Sequence, residues 1–144
     1  MRSLYRPLVL AALLSTSLPL EAHHSPAAFD ATTIVSFEGT VARFDWRNPH
    51  VYIYVDTVDD GGRPVQWAVE ADWTTDLMRA GWTAQSLAPG DRIAVRAHPA
   101  RVPARRYANL ISLEKADGTV LASWDLGAIP AARAEARATG IAGR

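Results

Sequence analysis

Four histidines are the side chains best equipped for chemistry in this sequence: His23, His24, His50 and His98. The chain contains no cysteine, so any soft-metal site must be built without thiolates, on imidazole nitrogen. If a leader is removed after Ala22, His23 becomes the first residue and offers its α-amine and ring Nδ1 as a chelating pair. An α-amine has an ordinary pKa of about 7.7–8.0, so a metal ion displaces its proton near neutral pH. Imidazole suits copper, zinc and nickel, and copper(II) tops the affinity order for nitrogen donors. Ser25 stands third, so the copper site formed by an amine and a third-position histidine is absent. The expected metal is copper(II) or zinc, held by His23, His24, His50 and His98.

A plainer reading stands beside this one. Asn48-Pro49-His50 is also a turn sequence in which Asn48 and Pro49 set the bend and His50 bonds the backbone. His98-Pro99 can simply end a strand, and a His-His pair near a terminus can simply be solvated. A ligand other than a metal would meet Trp46, Asn48, Tyr52 and Arg101, with Arg105 and Arg106 nearby to attract an anion.

Catalytic signatures are missing. Glu38, Glu70 and Asp72 are potential general acids or bases, but nothing in the sequence pairs them. Asp59 and Asp60 read as turn chemistry, and Ser25 beside two histidines is not a triad by adjacency. Gly61-Gly62 lacks the strand-to-helix context of a phosphate loop. No catalytic residue is assigned, and binding is the better expectation than enzyme activity.

The first residues resemble an export leader. Arg2 and Arg6 precede an apolar run from Pro7 to Leu20, and Leu20-Glu21-Ala22 supplies an aliphatic −3 and a small −1 position. Such a run is short of the ~20 residues a membrane span needs. The expected organisation is a signal peptide over 1–22, an N-terminal arm over 23–33, a β domain over 34–125 and an Ala/Arg-rich tail over 126–144. That places the protein in the periplasm or outside the cell, with no membrane span after cleavage. Lys and Arg total 15, as do Asp and Glu; losing Arg2, Arg6 and Glu21 with the leader leaves a net charge of −1. Such a chain lacks the basic field that drives nucleic-acid binding.

The elements that must position the histidines read as strands. Val35, Phe37, Gly39 and Val41 alternate with polar residues, and Gly39 inside that run predicts a bulge or sharp bend. After Trp46-Arg47-Asn48-Pro49, the second strand places Val51, Ile53 and Val55 inward and His50, Tyr52 and Tyr54 on the opposite phase. Asp59-Asp60-Gly61-Gly62 is a hairpin turn into a third strand with Val65, Trp67 and Val69 on one face. A short helix through Ala80 follows, capped by Asp72 or Thr74 and ended by Gly81. A fourth strand carries Ile93, Val95 and Ala97, a fifth covers about 106–115, and a brief sixth starts at Val120.

Three meandering strands, a helix and two more strands is the order of the oligonucleotide/oligosaccharide-binding (OB) barrel. The fold class expected is mainly β: an OB-like barrel of five to six strands with one short helix between strands three and four. In that barrel the loops after strands one and four flank one face, which brings His50 and His98 beside it. A β-sandwich with an inserted helix is the rival architecture.

Several motifs together resemble a family of exported bacterial proteins that carry a domain of unknown function. They are His23-His24-Ser25, Gly39-Thr40-Val41, Trp46-Arg47-Asn48-Pro49-His50, Gly81-Trp82 and Pro89-Gly90-Asp91, with His98-Pro99-Ala100-Arg101 following. The resemblance implies export and a small β domain, and it supplies no activity. A looser likeness is to periplasmic copper chaperones of the same barrel type, which hold copper(I) with His and Met beside a Trp. Here Trp46 and His50 echo that pattern, but Met78 is the sole methionine after the leader, so a nitrogen-rich copper(II) or zinc site fits better. The expectation is an exported binding protein. The alternative is an interaction module for a partner protein or small organic ligand. A copper-dependent oxidase is a third reading, opposed by the small size of the domain.

Overall fold

The computed structural model describes residues 28–102 and 104–123. Six strands and one helix follow in the order β1 (Val35–Asp45), β2 (Tyr52–Val58), β3 (Pro64–Glu70), α1 (Thr74–Arg79), β4 (Arg92–Pro99), β5 (Tyr107–Lys115) and β6 (Val120–Ala122). Alternation of apolar residues gives the strands one buried side, its phase shifting where β1 bulges at Ala42 and β5 at Ile111. Val41, Ile53, Val55, Val69, Ile93, Val95, Leu110 and Leu113 meet in a single core that also takes in Leu77 and Trp82.

The eleven residues of β1 serve two partners. Its first half pairs with β4, from Val35 opposite Ala97 to Thr40 opposite Arg92. Its second half pairs with β2, from Thr40 opposite Asp56 to Asp45 opposite Tyr52. Continuing the circuit, β2 pairs with β3 and β4 with β5, all antiparallel. A short parallel pairing of Ala68–Glu70 with Tyr107–Asn109 then closes the ring. The result is a closed five-stranded barrel with β6 added on β5, the OB arrangement expected from the element order. Strands one and four are neighbours, which excludes the sandwich.

Two local expectations are corrected. The irregularity in β1 lies between Val41 and Arg43, at Ala42, rather than at Gly39. At Gly39 the constraint is one of space. A Cβ there would stand 2.5 Å from the Asp56 carbonyl oxygen and 2.6 Å from Val55 Cγ1. It is the point where β1 leaves one partner for the other, and the neighbouring backbone comes too close for a side chain. The helix is also capped differently. Trp73 occupies the N-cap and gives no side-chain bond. The side-chain carbonyl of Asn48, from the β1–β2 loop, accepts from Thr74 Oγ1 at 2.8 Å and from the Thr74 N–H at 3.4 Å. Gly81, at φ +92°, ends the helix as expected.

Candidate functional site

The β1–β2 loop (46–51) carries His50, and three ties hold it. Asn48 is bound to the start of α1. Ala71 N–H donates to the Val51 carbonyl at 2.8 Å, and Val51 N–H donates to the Asp72 carbonyl at 3.3 Å. These extend the β2–β3 ladder past its formal end and bring His50 against the last residue of β3.

That residue is Glu70. Its side chain lies on the phase opposite Val69, yet it is only 3% exposed because neighbours cover it. His50 Nδ1 stands 3.1 Å from Glu70 Oε1 and 3.3 Å from the Ala71 carbonyl oxygen. The backbone oxygen is an acceptor and so is the ionised carboxylate, so Nδ1 carries the hydrogen, and in the neutral ring Nε2 keeps the lone pair. Glu70 Oε2 accepts from the Tyr52 hydroxyl at 3.3 Å and also from the Tyr107 hydroxyl. Burial, and then the adjacent Glu70 carboxylate, push the Tyr52 phenol up to about 12. It therefore stays a donor throughout the neutral range. The Asn109 amide donates to the Glu70 main-chain oxygen at 3.4 Å.

Strand register explains this gathering. Tyr52 is opposite Glu70, Glu70 is opposite Asn109, and Asn109 is opposite His98. The four form one polar row across β2, β3, β5 and β4 on the outside of the barrel. The N-terminal segment crosses one end of this row: Phe29 bridges to Ala100 and packs its ring 5.2 Å from that of Tyr107.

The residues singled out from sequence fall into several situations. His50 is in the cluster, with its side chain 16% exposed. His98 shares the row but sits two strands from Glu70, about 10 Å at ordinary strand spacing, and its Nδ1 donates to the Thr33 carbonyl at 2.8 Å. Among the described residues no group of three or more His, Asp or Glu side chains is placed to hold a metal. His23 and His24 lie outside the described residues. Tyr52 binds Glu70, and Asn48 is occupied by Thr74. Trp46 packs against the core beside Phe44. Two arginines of the β4–β5 loop diverge. Arg101 lies near enough to Asp30 to lower its pKa, whereas Arg106 reaches Asp59 at 3.7 Å and lies over Trp67.

Tyr107 and Asn109 went unnamed in the sequence reading, and the expectation that nothing pairs Glu70 is overturned. The signal was available in the hairpin turn. Placing Val58 opposite Pro64 and counting back along both strands puts Tyr52 opposite Glu70. The Tyr107 contact depends on the parallel seam, which no local pattern announces.

Residues 11–107 match the model of a family of unknown function, DUF6152. The chain belongs to that family. The matched span contains His23, His24, His50, Glu70, His98 and Tyr107. No curated protein matches. Among solved structures, the chain is similar to a chain of the S. pombe Stn1-ten1 complex, at 17% identity and a TM-score of 0.42. That match covers 74% of this chain and 66% of the other.

Proposed function

We propose that this chain is an exported protein that binds copper(II) or zinc, with His50 as the internal ligand and His23 and His24 completing the site. One observation carries the reading: His50 Nδ1 faces the Glu70 carboxylate and a backbone carbonyl. Metal-bound histidines commonly donate their other ring N–H to such an acceptor, which fixes the tautomer and raises the basicity of the coordinating nitrogen. The course of the chain adds support. Ala28 accepts from the Arg101 N–H at 3.0 Å, and Phe29 packs on Tyr107, whose hydroxyl reaches Glu70. In sequence His24 stands four residues before Ala28, a length of chain that spans at most about 14 Å. Export rests on the leader pattern at 1–22.

The test is a titration of the exported protein, its N-terminus verified by mass spectrometry, with copper(II) and zinc(II). Tight binding of one equivalent with nitrogen hyperfine structure in the copper spectrum, lost in His50→Ala and retained in His98→Ala, is the expected result. Binding no tighter than that of a short peptide beginning His-His-Ser overturns it.

A second reading has its own observation. Trp73 is 55% exposed, and its ring meets that of His50 edge-on at 6.2 Å. An apolar ring beside a polar cluster suits a small organic ligand or a partner protein. Chemical shift changes confined to Trp73, His50 and Tyr52 on adding periplasmic extract, with no metal response, would favour it.

A further inference from the structure

We infer that Glu70 is a positioning residue that sets the orientation and tautomer of His50, and that Tyr52 and Tyr107 act by locking the Glu70 carboxylate. This rests on the reading of His50 as a ligand through Nε2, but it makes a claim about the metal-free protein as well.

A carboxylate has two oxygens and can rotate about its terminal bond. In this protein that freedom is removed. Tyr52 and Tyr107, from β2 and β5, both donate to Oε2, which leaves Oε1 turned to the imidazole. The plane of the carboxylate is thereby fixed by strands on both sides of β3. The groups facing His50 include Glu70, the Ala71 carbonyl and Trp73. Of these the carboxylate is the stronger acceptor, because a charged hydrogen bond is roughly twice as strong as a neutral one. Ala71 alone offers a longer contact, at 3.3 Å against 3.1 Å. A structural role for Glu70 would be met by any buried hydrogen-bonding group. Selecting Nδ1–H requires an acceptor there.

Glu70→Gln tests the difference, since the amide keeps the size but offers an NH2 group as readily as an oxygen. In the metal-free protein, long-range ¹⁵N correlation spectra report which ring nitrogen of His50 bears hydrogen. The wild type is expected to show Nδ1–H in the neutral ring, and Glu70→Gln a mixture of both tautomers. Copper(II) affinity is expected to fall about 10–100-fold in Glu70→Gln, the size of effect seen for partners that orient a ligating histidine. Tyr107→Phe removes one lock without removing the carboxylate, and it is expected to move both readouts in the same direction by less. It also serves if Glu70→Gln does not fold.

An unchanged His50 spectrum in both variants, with copper affinity within about twofold of wild type, would overturn the inference. Should His50→Ala leave copper binding intact, the proposed function fails. The positioning role is then decided by the metal-free spectra alone: a changed tautomer supports it and an unchanged one refutes it.

Discussion

Asn48 Oδ1 lies 2.8 Å from Thr74 Oγ1, so one side-chain carbonyl joins the β1–β2 loop to the first turn of α1. The helix has no cap of its own, and Thr74 is nearly buried. Asn48→Ala therefore removes a cap, worth about 1 kcal/mol, and strands a hydroxyl, adding about 1 kcal/mol more. Asn48→Asp keeps the acceptor and should lose less. Urea denaturation of the two variants measures the difference, and the ring signals of His50 should shift in Asn48→Ala because its loop loses that tie.

Gly39→Ala should be among the more damaging single-methyl additions in the barrel. The new Cβ meets Asp56 backbone at 2.5 Å, so β1 and β2 must separate where β1 exchanges partners. Overpacking of this kind costs about 1–3 kcal/mol, and with main-chain atoms as the obstacle the upper end is expected. A fall in melting temperature of about 10 °C or more corresponds to that loss in a domain of this size. A change within about 2 °C would show that the strands yield easily.

Trp82 holds β6 in place. Its Nε1–H donates to the Ala122 carbonyl at 2.8 Å from within the core, where the ring is 1% exposed. Trp82→Phe deletes that donor and leaves space beside Leu77, at a cost of about 2–3 kcal/mol. Because the bond ends on β6, the Ser123 amide, which donates to Ile111 across the β5–β6 pair, should exchange with solvent faster in the variant. Equal exchange rates would show that β6 is held by strand pairing alone.

Acid should loosen the N-terminal segment before the barrel. The Thr32 and Thr33 hydroxyls and the Thr32 N–H donate to Asp30, and these bonds lower its pKa from 3.8 to about 2. A folded-state pKa below the unfolded one means that the stabilisation is present above about pH 4. It fades as pH falls through about 2. Signals of Phe29 and Thr33 should move in that window, and Asp30→Asn should abolish the movement. Persistence of the transition in Asp30→Asn would assign it to another carboxylate.

Much of the barrel was legible because burial on one side imposes period two. Val51, Ile53 and Val55, and Ile93, Val95 and Ala97, sit inward as their alternation requires. The turn at Asp59–Gly62 likewise fixed the β2–β3 register. What escaped was contact between elements remote in sequence. Asn48 looked like a turn residue and is one, but its carbonyl also caps a helix 26 residues away. Glu70 looked isolated because its partners arrive from the loop before β2, from β2 itself and from β5. His98 sits on β4 and His50 precedes β2, and along the polar row β3 and β5 lie between those two strands.

The parallel seam has a kinetic meaning. Every other junction of the barrel is antiparallel, and β2–β3 and β5–β6 are made by short hairpins. Joining Ala68–Glu70 to Tyr107–Asn109 requires the chain to bring together segments separated by the helix and all of β4. Long-range contacts pay their closure entropy before they are rewarded. The β1–β4 pairs are farther apart still, but they run from Val35–Ala97 to Thr40–Arg92, whereas the seam gains only the short run Ala68–Tyr107 to Glu70–Asn109. This join is therefore expected late in folding. The Glu70 cluster is built across it, so its stabilisation is expected to be missing from the folding transition state. Weakening it, as in Tyr107→Phe, should hasten unfolding and leave the folding rate nearly unchanged.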